Sequence, residues 1–171
     1  MFEGLFVLSL RVPPESAFAH ELRAVGFDVS DVQSKYDKDI WTASLDVAHR
    51  YRYPELERFV AWRRLGRDFI RGYLQTVVGR FIGAVLPLIG TTRFIERVPA
   101  FVRTGLGGTM CEVELVGPTS ALLSFDGPHV GSSAVMAGVL DECFERMHVN
   151  ATLTAHQLGG TTSSLDVRWD A

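Results

Sequence analysis

The chain has 171 residues, 47% of them apolar and 22% charged, with a net charge of −3. That length holds one domain with a real core, and eleven Phe, three Trp and four Tyr exclude a disordered chain. There is no whole-domain basic excess and no recognition motif for nucleic acid, which excludes that class of partner.

The charge is unevenly placed. Residues 1–62 carry −3, residues 63–103 carry +6 through eight arginines, and residues 104–171 carry −6. A basic middle between acidic ends suits an anionic ligand or acidic surface, or internal pairing of the arginines. Cys111 and Cys143 lack metal-binding or redox spacing and read as reduced thiols of a cytoplasmic protein. The N-terminal "MFEGLFVLSLRVPPE" has Glu3 where a leader would be basic, and Arg11 interrupts its apolar run. The longest apolar run elsewhere, Phe81 to Ile89, is far shorter than the ~20 residues of a span. No membrane span is expected.

In chain order, "GLFVLSLRV" has strand-forming residues. "PPESAFAHELRAVGF" predicts a helix starting at Pro13–Pro14 and closed by Gly26. "FDVSDVQSKYDKDI" is a polar connection. "DIWTASLDVAHRYRYP" is a helix with Trp41, Leu45, Val47 and Ala48 on its apolar side. From Pro54 to Gly90 apolar residues recur at i, i+3 and i+4 through Phe59, Val60, Phe69, Ile70, Val77, Val78, Phe81 and Ile82. Leu65–Gly66 is the expected break. Gly79 and Gly83 share a face, and their role is close backbone packing, which offsets glycine's helix cost of about 1 kcal/mol each. Gly90 stops this helix. "TTRFIERVPAFVRTGL" begins another, capped by Thr91 or Thr92 and bent or restarted at Pro99.

After Gly108 the period changes. "TMCEVELVG" and "SALLSFDG" alternate as strands. "GSSAVMAGVLDECFERMH" is an amphipathic helix capped by Ser132 or Ser133, with Val135, Met136, Val139, Leu140, Cys143 and Phe144 inward. "VNATLTAHQLGG" and "TTSSLDVRWD" form a hairpin turned at "LGGTTS".

Catalytic signatures are lacking. His20, His49, His129, His148 and His156 form no metal-ligand spacing. "GLGGT" at 105–109 lacks the lysine and the strand-to-helix setting of a phosphate loop. No nucleophile elbow surrounds Ser132 or Ser133.

"LGRDFIRGYLQTVVGRFIGAVLPLIG", "RFIERVPAFVRTG", "VMAGVLDECFERM" and "LDVRW" together resemble a set of uncharacterised paralogues found mainly in myxobacteria, over roughly residues 40–170. More distantly, the order of elements is similar to haem nitric oxide/oxygen-binding domains, 4-vinyl reductase-like domains and TRAPP-type subunits. That resemblance implies a cleft between the helical layer and the sheet, and a homodimer. The haem family's proximal histidine would fall in "TTRFIERV", which has none. Its tyrosine–serine–arginine clamp would fall near "SFDGPH", where Phe125, Asp126, Gly127 and His129 stand instead. The cysteine cluster of some 4-vinyl reductase-like domains is not matched by Cys111 and Cys143.

The expectation is therefore an α+β protein: one domain over 1–171, mainly helical over 1–107, with a four-stranded antiparallel sheet over 108–171 in strand–strand–helix–strand–strand order. Its function is that of a non-enzymatic sensor or adaptor without a cofactor. Trp62, Tyr73 and Phe94 would line the cleft for a small apolar or amphiphilic ligand or a protein partner. Arg93, Arg97 and Arg103 would hold an anionic group, or else form a solvated helix face or pair with Glu112 and Glu114. The alternative is a structural interaction subunit with a filled core.

Overall fold

A computed structural model describes residues 1–33, 36–105, 108–127 and 131–170. The N-terminal segment forms a π-helix, Glu3–Ser9, rather than a strand. Its Leu5 and Phe6 are fully buried, and Phe2, Phe6, Phe27, Tyr36 and Trp41 stack into one aromatic cluster. An apolar run buried on several sides has no period, so strand and helix look alike in it.

Helix α1, Ala17–Ala24, starts later than the prolines imply. Ser16 is its cap and accepts from the Ala19 N–H at 3.1 Å. Gly26 follows it at φ +98°. Helix α2, Lys38–Arg52, buries Trp41, Leu45, Val47 and Ala48 as expected.

Helix α3, Arg58–Tyr73, runs unbroken through Leu65–Gly66. Its buried stripe is Ala61, Trp62, Leu65, Gly66, Phe69 and Ile70, whereas Phe59 and Val60 are exposed. The chain turns instead after Leu74, and α4, Val77–Ile89, leaves at 105° to α3. Thr76 caps α4 by accepting from the Gly79 N–H at 3.0 Å. The Gly79–Gly83 face packs back on Tyr73 and Leu74 at the end of α3. It is internal packing and is not open to a second chain. Val77, Val78 and Phe81, expected to continue the core stripe, are exposed. Gly90 (φ +80°) separates α4 from α5, Thr91–Gly105, which continues through Pro99 without a break. The expected threonine cap is not formed: Thr91 is already helical, and Gly90 supplies the carbonyl to the Phe94 N–H at 3.0 Å.

Strands β1 (Met110–Gly117), β2 (Ser120–Asp126), β3 (Ala151–Gly159) and β4 (Thr162–Trp169) form an antiparallel sheet in the order β1-β2-β4-β3. Leu123 pairs with Leu165 and Ala121 with Val167 across the two central strands, and all four are buried. This apolar face packs on α6, Ser132–Arg146, whose other side packs on α3. Being covered on both sides, α6 is buried almost from end to end rather than amphipathic. Its cap position is Gly131, in the left-handed region (φ +74°), while Ser132 and Ser133 lie inside the helix. His148 ends the exit from α6 at φ +57°, a position usually given to glycine.

Candidate functional site

Between the end of α3 and helices α4, α5 and α6 lies a cavity of about 240 Å³. Its walls are almost wholly apolar. Ile70 and Tyr73 come from α3, Ile82 and Leu86 from α4, Phe94, Val98 and Phe101 from α5, and Met136, Val139 and Cys143 from α6. All its lining residues are on helices, so it lies among helices and not in the helix–sheet cleft expected. The described sheet face is filled by α6. The cavity exists because α4 leaves α3 at a steep angle and meets α6 and α5 only along its inner side, through Ile82 and Leu86.

Three of the six expected ligand residues meet here: Tyr73, Phe94 and Arg97. The Tyr73 ring is edge-on to Phe101 at 6.5 Å, and Phe94 is edge-on to Phe144 at 5.8 Å. Arg97 is the one charged residue of the lining and is exposed to water. Trp62 does not reach the cavity. It is 1% exposed, packed against Phe59 and Gly131 with the Arg58 guanidinium 4.5 Å over its ring. Its Nε1 is buried with no partner among the described residues. Arg93 and Arg103 are exposed on α5, outside the lining.

The arginines of the basic middle divide into two groups. On α3, Arg63, Arg67 and Arg71 are paired internally with carboxylates, while Arg64 lies over the Tyr53 ring at 5.6 Å. Arg63 donates to both carboxylate oxygens of Asp141 at 2.7 and 2.8 Å, and that bidentate bond raises its pKa. Arg71 and Arg146 donate to the buried Glu142 at 2.7 and 3.2 Å, and Arg67 reaches Glu142 and Glu145. Arg80, Arg93, Arg97 and Arg103 have no ion pair or hydrogen-bond partner among the described residues, so the expected pairing with Glu112 and Glu114 does not form.

Leu86, Met136, Val139 and Cys143 were not legible as site residues. At helical spacing a cavity wall has the same pattern as a core. Burial pushes the Cys143 thiol up to about 12, so it is protonated and unreactive at neutral pH. Cys111 on β1 is raised likewise, to about 12. Among the described residues no group of three His, Cys, Asp or Glu is placed to hold a metal. Residues 128–130, which include His129, and 106–107 of the glycine-rich stretch lie outside the described residues.

The fold is that of solved H-NOX domains. An oxygen-binding H-NOX domain related to soluble guanylate cyclases, in its oxygen complex, is 14% identical with a TM-score of 0.67, over 97% of this chain and 89% of that one. An H-NOX protein from S. oneidensis in the Fe(II)NO ligation state is 9% identical with a TM-score of 0.66, over 91% and 89%. A protein studied for haem redox potential under porphyrin distortion is 13% identical with a TM-score of 0.65, over 98% and 97%. At these identities the likeness is one of fold.

The residues present do not fit a haem held in that manner. Helix α5, where the resemblance puts the axial histidine, turns Phe94, Arg97, Val98 and Phe101 to the cavity. The cavity, about 240 Å³, is also far too small for the roughly forty non-hydrogen atoms of a haem, a ~150 Å³ cavity being filled by one benzene. No curated protein matches the sequence. Over residues 1–170 the chain matches, and belongs to, the family described as Protein of unknown function (DUF2378).

Proposed function

We propose that the chain is a non-enzymatic sensor or adaptor module that binds a small amphiphile, its apolar body in the α3–α6 cavity and its anionic head at Arg97. The observation that carries this reading is an almost wholly apolar chamber with a single unpaired arginine in its lining. A cavity of ~150 Å³ takes up benzene, so one of about 240 Å³ suits roughly ten non-hydrogen atoms. The guanidinium matches a carboxylate or phosphate. The solved neighbours in oxygen and Fe(II)NO states lend support of a general kind, since small-ligand binding occurs on the same architecture. Nothing in the cavity wall pairs a nucleophile with a base, and the Cys143 thiol keeps its proton.

The test uses octanoate and octanol as probes in titration calorimetry, after native mass spectrometry of the purified chain. Octanoate binds the wild type. Ile82→Trp, which fills the chamber, abolishes binding of both probes. Arg97→Gln weakens octanoate about tenfold, the effect of ~1.4 kcal/mol, and leaves octanol unchanged. A wild-type chain that carries no ligand and binds neither probe overturns the reading.

A further inference from the structure

Helix α4 is apolar on both sides. Its inner face, Gly79, Ile82 and Leu86, packs on the protein. Its outer face repeats at the same spacing, through Val77, Phe81, Ala84 and Leu88, and faces water. Val77 is 77% exposed, Phe81 72% and Leu88 82%. A helix apolar all round is normally buried, in a core or against lipid. Apolar side chains exposed to this degree along one helix face are the mark of an interaction surface rather than of singly scattered surface residues.

The charges around this face say what covers it. Arg80 lies within α4 and Arg93 one turn beyond the α4–α5 junction, while Arg97 belongs to the cavity on the inner side of α4. Arg80 and Arg93 are both exposed and unpaired among the described residues, and from Val77 to Gly105 the only acidic residue is Glu96. A second copy would bring the same positive charge to the contact and be repelled. An anionic bilayer surface satisfies both features, taking the apolar side chains below its headgroups and the arginines among them. We infer that α4, with Arg80 and Arg93, is a docking surface for anionic lipid membranes, on which the protein lies without crossing. No single helix among the described residues is long and apolar enough to span. The inference is independent of what the cavity holds.

Flotation of the full chain with vesicles of phosphatidylcholine, alone or mixed with phosphatidylserine, tests it. The wild type floats with the mixed vesicles and not with phosphatidylcholine alone, and salt releases it. Phe81→Ser with Leu88→Ser weakens binding more than tenfold. Arg80→Gln with Arg93→Gln weakens it roughly thirtyfold, at about fivefold per charge and slightly more. Val116→Ser, on the exposed side of β1, leaves it unchanged, and all variants melt as the wild type does. The inference falls if the wild type does not float with mixed vesicles, if it floats equally with both compositions, or if the Phe81/Leu88 variant floats as the wild type does. It falls equally if the chain ignores vesicles and sediments as a dimer that this variant dissociates.

Discussion

Gly66 of α3 and Gly138 of α6 face each other where the two helices cross, and a Cβ on Gly66 would lie 3.3 Å from the Gly138 Cα. The backbone is closer still. The same Cβ would strike the Val135 carbonyl oxygen, and a Cβ on Gly138 would strike that of Arg63. The neighbours are backbone atoms of two buried helices, so neither can give way. Gly66→Ala and Gly138→Ala are each expected to destabilise the protein by about 1–3 kcal/mol, the range for overpacking. Gly90→Ala, with no atom within 4 Å of its Cβ, is expected to cost less and only through its positive φ. Chemical denaturation midpoints check the ranking. Equal midpoints for Gly66→Ala and the wild type would refute the crossing geometry.

Glu142 is the hub of the α3–α6 junction. Its carboxylate is buried and receives Arg71 and Arg146 directly, with Arg67 at 3.5 Å. Glu142→Ala removes the centre of three arginines and is expected to cost about 3 kcal/mol, the lower end for breaking a buried pair, since the arginines stay partly in water. Glu145→Ala, at an exposed pair, is expected to cost less than about 1 kcal/mol. Thermal melts of the two variants would separate them by several degrees.

Stability is expected to fall at alkaline pH. Burial raises the Cys143 thiol from 9.0 to about 12, and burial with the hydrogen bond to Asp68 raises the Tyr53 hydroxyl from 10.0 to about 12. In both cases the folded state keeps a proton that the unfolded chain releases. Their stabilising contribution is therefore complete below pH 9 and is lost as pH climbs from there towards 12. Urea midpoints between pH 7 and 11 should decline, and the double variant Cys143→Ala, Tyr53→Phe should lessen the decline, leaving the part that the Cys111 thiol carries. A flat wild-type profile would show that neither group holds its proton in the folded state.

Much of the sheet half was legible because its signals are local. Alternation marks each strand, and the glycines at 159–160 mark the hairpin, whatever lies beyond. The inward set of α6 was legible for the same reason, although its burial on the remaining sides was not, because that depends on α3 lying behind it. The strand-forming residues of the N-terminal stretch lie instead in the π-helix at Glu3–Ser9, since apolar residues covered on several sides leave no period to tell the two apart. The break expected at Gly66 failed because a glycine in a helix reads as a weak point until a second helix fills the space beside it.

The candidate site was legible only in part. Tyr73, Phe94 and Arg97 do meet, and helical spacing alone put them on their helices. Trp62 is equally aromatic and equally helical, yet it packs at the other end of α3, against Gly131. The sequence determined the helices, the strands and the local basic excess, because each depends on neighbours a few residues away. Only the tertiary structure decided which arginines are neutralised and which apolar stripe is covered. Asp141, Glu142 and Glu145 arrive opposite α3 across some 80 residues of chain, and nothing among the described residues arrives over the outer face of α4. The periodicity of a helix states which side chains share a face. What that face meets is set by packing at long range.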